Sequence, residues 1–122
     1  METIEVLTQA LEIISDPERW TQGTFARDTT GRTCSYLSYA AVKFCATGAI
    51  FKIIGWDGCF PVPALMRLDE AALQLFSGEA NSVSVNDHHG HAAVVYMFER
   101  AIELAQAESA VQPEPEEALV TV

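Results

Sequence analysis

The chain is poor in basic residues and in long apolar stretches, and each shortage excludes a class of protein. Of its 122 residues, 7 are lysine or arginine and 17 are aspartate or glutamate, which gives a net charge of −10. Because phosphate contacts need a basic face, nucleic acid is disfavoured as a partner. No apolar run approaches the roughly 20 residues that a membrane-spanning helix needs. We therefore expect no membrane partner either.

The chain also has few cysteines, and their number and spacing do not indicate disulfide pairs. Cys34, Cys45 and Cys59 are odd in number and widely spaced, and none forms a C-x-x-C motif. This spacing is not that of a disulfide framework and favours a reducing compartment. The acidic residues Glu2 and Glu5 are untypical of a secretory signal. The sequence thus predicts a cytoplasmic protein, and we expect no cofactor.

The apolar spacing predicts a mainly α-helical domain over residues 1–107, with four helices and a short β-hairpin between the first two. The helices are expected at residues 2–15, 38–54, 64–77 and 89–107, and the hairpin at residues 24–36. Asp16 and Pro17 predict one further turn after the first helix, because aspartate caps helices and proline suits the first helical position.

Two segments close to the end of the chain are expected to lie outside regular structure. The alternation Ser82-Val83-Ser84-Val85 is typical of a short extended segment that leads into the last helix. Residues 108–122 are rich in proline and glutamate, a composition that is typical of a disordered acidic tail.

Cys45 is the one residue for which catalysis and packing compete. The chain has the parts of a cysteine hydrolase, since such an enzyme combines a thiol with an imidazole and with an amide or carboxylate that orients it. The candidates are Cys45, one of His88, His89 or His91, and Asn86 or Asp87.

The expected position of Cys45 in its helix favours packing. A catalytic thiolate usually lies at a helix N-terminus, whereas a helix that begins near Ser38 places Cys45 about two turns inside. Ala41, Cys45 and Ala49 then form a ridge of small side chains, which Gly48 extends. A free cysteine often acts as a small buried apolar residue in this way. We therefore interpret Cys45 as packing.

The histidines raise the alternative of a metal-binding module. His88 and His91 are three residues apart, which is the spacing of one helix face. Zinc needs three or four protein or solvent ligands, and no further ligand is suitably spaced. The metal site stays an alternative without a complete ligand set.

A polar and aromatic set around Trp20 supplies candidate binding residues. Trp20-Thr21-Gln22-Gly23 joins the first helix to the hairpin, where a tryptophan usually fills a gap. Gln22 is expected to bond Asp87 or the backbone of residues 82–86, and such polar contacts fix how elements meet. Asp87 is expected to cap the last helix. If the chain has a binding site, we expect Trp20, Gln22 and Asp87 in it.

Several short motifs occur in an order that resembles a known family. They are Trp20-Thr21-Gln22-Gly23, Ala26-Arg27-Asp28, Phe44-Cys45-Ala46-Thr47-Gly48-Ala49, Asn86-Asp87 and Arg100-Ala101-Ile102. Over roughly residues 7–103, the chain is similar to a group of small bacterial and phage proteins that form a domain of unknown function. The resemblance implies a small helical domain and no particular activity.

Because each chemically suggestive residue has an ordinary structural use, we expect a non-catalytic accessory or protein-interaction domain with an unidentified protein partner. The alternatives are the cysteine hydrolase, the metal-binding module and an acidic inhibitor of a nucleic-acid-binding protein. Phe51, Trp56 and Phe60 either cover the core, which we favour, or form a surface for a homo-oligomer.

Overall fold

A computed structural model describes residues 2–55 and 62–111 of the chain. Within these ranges the fold is mainly helical, as the apolar spacing predicts. The elements in chain order are α1 (Thr3–Ile14), a 3-10 turn (Pro17–Arg19), β1 (Ala26–Arg27), β2 (Lys43–Phe44), α2 (Ala46–Ile54), α3 (Pro63–Leu75), α4 (Ser82–His88) and α5 (His91–Val111).

The core lies where α5 packs against α1 and α3, and α2 packs against α1. The side chains of α5 that enter it recur every three or four residues, which is the spacing of one helix face. They are Val94, Met97, Phe98, Ala101 and Ala105. Among the described residues, no helix is long and apolar enough to cross a bilayer.

The first helix and the turn that follows it are confirmed. The buried residues of α1 are Val6, Leu7, Ala10 and Ile14, so the predicted apolar face is the one that packs. The Asp16 side chain accepts the backbone N–H of Glu18 at 2.9 Å, and Pro17 is the first residue of the 3-10 turn.

The predicted start of the second helix is wrong. α2 begins at Ala46 rather than near Ser38, because the preceding residues form turns held by serine side chains. The hydroxyl of Ser35 accepts the N–H of Leu37 at 3.1 Å, and that of Ser38 accepts the N–H of Ala40 at 3.0 Å. Such local bonds compete with a helix.

The predicted hairpin is replaced by a different pairing. β1 is antiparallel to β2, with Ala26 opposite Phe44 and Arg27 opposite Lys43. The chain does turn back within residues 24–36, at residues 28–31, since the Asp28 carboxylate accepts the N–H groups of Thr30 and Arg32. The returning strand, however, contributes one isolated bridge, between Arg27 and Thr33. The wider loop to residue 43 supplies the partner strand.

The expected extended segment before the last helix is a helix instead. Asn81 caps α4 by accepting the N–H of Ser84 at 2.9 Å, and the Ser84 hydroxyl bonds back to the Asn81 backbone. This capping box overrides the alternating pattern. Gly90 separates α4 from α5, so α5 begins at His91 and extends beyond residue 107.

Three features of the sequence analysis fall partly or wholly outside the described residues. They are the aromatic residues expected to cover the core, the third cysteine and the acidic tail. Phe51 is buried, in agreement with a role in covering the core. Trp56, Cys59 and Phe60 are not among the described residues, and neither is the part of the predicted acidic tail beyond residue 111.

Gly48 sets the distance between α2 and the segment before β1. A Cβ atom at this position would overlap the carbonyl group of Phe25. The same carbonyl accepts the backbone N–H of Cys45 at 3.1 Å. Because Gly48 has no side chain, the N–H of Cys45 can reach the carbonyl of Phe25. This hydrogen bond fixes the start of α2 against the residue before β1.

We predict that Gly48→Ala lowers the free energy of unfolding by roughly 2–3 kcal/mol, because the added methyl group forces backbone apart in a packed region. Gly90→Ala is the matched control, since a Cβ there meets no atom within 4 Å; it should change stability by less than about 0.5 kcal/mol. Urea unfolding followed by circular dichroism measures both. Equal losses in the two variants would contradict the close approach.

Candidate functional site

Asn86 is the centre of a polar junction that joins three parts of the chain. It is 1% exposed. Its Oδ1 accepts the indole N–H of Trp20 at 2.7 Å and the backbone N–H of Ala46 at 3.0 Å. Its Nδ2 donates to the carbonyl of Thr21 at 3.0 Å and to Asp87 Oδ1 at 3.2 Å. One buried amide thus fixes α4 against the start of α2 and the segment after the 3-10 turn.

Gln22 adds a second set of hydrogen bonds to the same junction. Gln22 Nε2 donates to the carbonyl oxygens of Asn86 at 2.9 Å and of His89 at 2.8 Å. These carbonyls lie at the C-terminal end of α4, where helices have acceptors without a partner in the helix. The expected bond from Gln22 to the backbone of residues 82–86 is therefore present.

Asp87 does not cap the last helix. It lies in the last turn of α4, is exposed, and accepts the backbone N–H of Gly23 at 3.0 Å through Oδ1. The reason is the helical conformation of residues 82–88, which places Asp87 at the end of one helix rather than at the start of the next.

Cys45 occupies the N-cap of α2, which the sequence did not predict. Its Sγ accepts the backbone N–H of Gly48 at 3.2 Å. Ala41 lies outside the helix, so the expected ridge of Ala41, Cys45 and Ala49 does not form, and Gly48 meets the backbone of Phe25 rather than another helix. The position alone is thus one at which a reactive thiolate can form.

The surroundings of Cys45 nevertheless keep the thiol protonated. The residue is 7% exposed. Burial raises the pKa of Cys45 to about 11, and the nearby Asp87 carboxylate also raises it. The N–H groups of Gly48 and Thr47 act in the opposite direction, but burial outweighs them. The helix N-terminus therefore does not produce a thiolate at neutral pH.

The three imidazoles bond to partners other than Cys45. His91 Nε2 lies 2.6 Å from the carbonyl oxygen of Ile14, and its ring meets that of Trp20 edge to face. His88 and His89 both bond to Glu79. The structure brings Cys45, Asn86 and Asp87 together and places the imidazoles with these other groups.

Glu79 forms a cluster with two histidines that sequence reasoning missed. His88 Nδ1 lies 3.2 Å from one of its oxygens, and His89 Nε2 lies 2.8 Å from the other. Burial by itself raises the pKa of Glu79, but hydrogen bonds from His88, His89 and Ser84 together hold it below its ordinary value of 4.5. Little in the sequence indicates this cluster, because Glu79 lies nine residues before His88, in a loop.

The candidate metal pair is divided by the break at Gly90. His88 is on α4 and His91 is on α5, so they share no helix face. In the ranges 2–55 and 62–111, no group of three histidine, cysteine or acidic residues is arranged to hold a metal ion.

A cleft of about 290 Å³ opens beside the junction. It is lined by residues 23–25, Cys45, Val83 and the pair Asn86-Asp87. Phe25 and Val83, which are 46% and 44% exposed, are its apolar residues at the surface. Of the sequence candidates, Asp87, Asn86 and Cys45 line the cleft, whereas Trp20 and Gln22 hold the junction beside it.

Comparison with known proteins identifies the family of this chain but not its activity. A family model described as a family of unknown function (DUF6197) matches residues 1–104. The chain belongs to this family. No curated protein and no solved structure matches the chain. The matched region contains the whole junction and cleft, so their chemistry must be interpreted from their own geometry.

We predict that Asn86→Ala lowers the free energy of unfolding by roughly 3 kcal/mol or more. The substitution leaves the indole N–H of Trp20, the N–H of Ala46 and the carbonyl of Thr21 without a partner, and an unpaired buried group costs about 1–3 kcal/mol. Asn81→Ala, on the same helix, removes a cap and should cost about 1 kcal/mol. Chemical unfolding separates the two, and similar losses would argue against a central role for Asn86.

We predict a pH-dependent effect of Glu79→Gln. Because the pKa of Glu79 is lower in the folded chain than its ordinary value, its ionised form contributes stability above pH 4.5 that is lost as the pH falls through the folded pKa. The variant should therefore unfold at a lower temperature than the original chain at pH 6, and the difference should shrink toward pH 3.

The control for this titration is Glu12→Gln, which changes an exposed carboxyl group on α1. Its melting temperature should follow that of the original chain at each pH. If the difference in melting temperature between Glu79→Gln and the original chain stayed constant from pH 3 to pH 6, the charge of Glu79 would not contribute to stability.

Proposed function

We propose that this chain is a non-catalytic accessory domain that acts in the cytoplasm by binding another protein. The observation that carries the proposal is the use of its polar motif residues as structural contacts. Asn86 makes four hydrogen bonds within the junction, and Gln22 bonds two backbone carbonyls at the end of α4. Residues whose polar atoms are occupied in this way are poorly placed to take part in turnover.

The state of Cys45 argues against the cysteine hydrolase. With a pKa of about 11, roughly one thiol in ten thousand is ionised at pH 7. A nucleophilic thiol needs a neighbouring base or a lowered pKa, and the three histidines have other partners. Cys45 acts as a cap and as packing in this proposal.

Apolar side chains are exposed at two places, the loop between β1 and β2 and the cleft. Leu37 and Tyr39 are exposed in the loop between β1 and β2, and Phe25 and Val83 are exposed beside the cleft. Exposed apolar side chains that cluster are typical of sites for protein partners. The net charge of −10 favours basic partners and disfavours nucleic acid.

We predict that Cys45 resists alkylation in the folded chain. In a variant with Cys34→Ser and Cys59→Ser, iodoacetamide at pH 7.5 should label Cys45 at least about a hundredfold more slowly than after unfolding in urea, because the thiol is buried and protonated. The rate should rise about tenfold per pH unit between pH 7 and 10. Mass spectrometry measures both rates.

A thiolate paired with an imidazole would instead react rapidly at pH 7.5, with a rate that no longer rises above pH 8. In the same experiment, hydrolysis of 4-nitrophenyl acetate should be equal for the original chain and for Cys45→Ala. A burst of product that Cys45→Ala abolishes would make the protein an enzyme and overturn the proposal.

The interaction itself is tested with matched surface variants. Val83→Ser changes an exposed residue beside the cleft, and Leu73→Ser changes one on α3 that is 61% exposed. A protein partner should bind the original chain and Leu73→Ser and lose affinity for Val83→Ser, in pull-down followed by calorimetry with the purified partner. A partner that binds all three equally would contradict a role for this surface, and sedimentation shows whether that partner is a second copy.

A further inference from the structure

The cleft beside the junction is large enough to hold one long side chain. Its volume is about 290 Å³, at the lower limit of the roughly 300–1,000 Å³ that small-molecule and cofactor sites occupy. Phe25 and Val83 give it apolar walls at the surface, and Cys45 lines it with a neutral thiol. A group that fits has an apolar body and reaches the polar end of the cleft at Asp87.

Asp87 gives the cleft a negative charge that no cation of residues 2–55 and 62–111 neutralises. Its Oδ1 accepts the N–H of Gly23 and the side chain of Asn86. Within the part of the chain that the structure describes, its Oδ2 accepts no hydrogen bond and the carboxylate has no ion pair. The C-terminal end of α4, where Asp87 lies, adds partial negative charge.

Arg27 is the basic side chain of the adjoining segment, and its guanidinium is already occupied. It donates to the hydroxyl of Thr21 and to the carbonyls of Gln22 and Gly31. It is therefore held by the backbone around it rather than by Asp87.

The nearby N-terminus of α2 does not convert the cleft into an anion site. The N–H of Ala46 donates to Asn86, and that of Gly48 donates to the sulfur of Cys45. The donors that would hold an anion at a helix N-terminus are thus in use, and the Asp87 carboxylate repels a negative ligand.

We propose that the cleft receives a lysine side chain of the protein partner, with its ammonium group on Asp87 Oδ2 and its carbon chain against Phe25 and Val83. This assignment rests on the proposed function. Lysine combines a flexible four-carbon chain with a compact charge. Arginine fits less well, because its paired N–H groups bind a carboxylate through both oxygens and Asp87 Oδ1 already accepts two bonds.

Peptide titration tests the assignment. The probe is acetyl-Ala-Lys-Ala-amide, added to the ¹⁵N-labelled full chain and followed by NMR. The backbone signals of residues 23–25 and 83–87 should shift, and added salt should weaken binding. The same peptide with norleucine, which keeps the carbon chain and lacks the charge, should bind at least tenfold more weakly, and the arginine peptide severalfold more weakly.

Variants of two acidic residues provide the controls. Asp87→Asn removes the charge but keeps an oxygen for Gly23 N–H, so the variant should fold and raise the dissociation constant of the lysine peptide at least tenfold. Glu12→Gln, at an exposed position of α1, should leave it unchanged. Equal binding by the lysine and norleucine peptides, or full binding by Asp87→Asn, would overturn the proposal.

The source of the amine is tested with n-butylamine, which has the same carbon chain and charge as lysine. Binding as tight as that of the peptide would show a site for a free amine and overturn the assignment to a protein side chain. If the lysine peptide fails while a partner still distinguishes Val83→Ser from Leu73→Ser, the assignment falls and the proposed function stands. A catalytic burst that depends on Cys45 would remove the proposed function itself.

Discussion

The buried amide of Asn86 is the interaction on which the arrangement of the other elements depends. Each of its polar atoms serves two partners, and the four partners come from three separated parts of the chain. A polar group in this environment is costly unless it is fully bonded. The alternatives in which α4 shifts along its axis or α2 starts elsewhere leave at least one of these groups unpaired, so the amide selects a single arrangement.

This dependence explains why the short motifs noted in the sequence lack an evident chemistry. Trp20, Gln22, Gly48 and Asn86 all act where backbone segments meet, and Cys45 caps the helix that starts there. A change in one of these residues leaves a partner unbonded or forces two backbone segments apart. Asp87 differs, since its Oδ1 accepts the N–H of Gly23 whereas its Oδ2 has no hydrogen-bond partner among the described residues.

The sequence predicted the elements whose signals are local. The apolar face of α1, the turn at Pro17 and most of the buried face of α5 follow from spacing and capping alone. The start of α2 was not predicted correctly. Ala41 and Cys45 have the spacing of a helix face, but the side chains of Ser35 and Ser38 hold that segment in turns. The cleft could not be predicted, since its walls meet only through contacts between distant positions, such as Gly23 and Asp87, which are 64 residues apart.

The length of α4 gives the junction a consequence for folding. Seven residues are too few for an independent helix in water, and the bonds that hold α4 on residues 20–23 join positions 64 to 67 apart. Contacts of such high sequence separation form after the chain has already lost much of its freedom. The wall of the cleft that carries Val83 and Asp87 therefore depends on residues 20–23 being in place, so a change that loosens this segment also loosens the cleft.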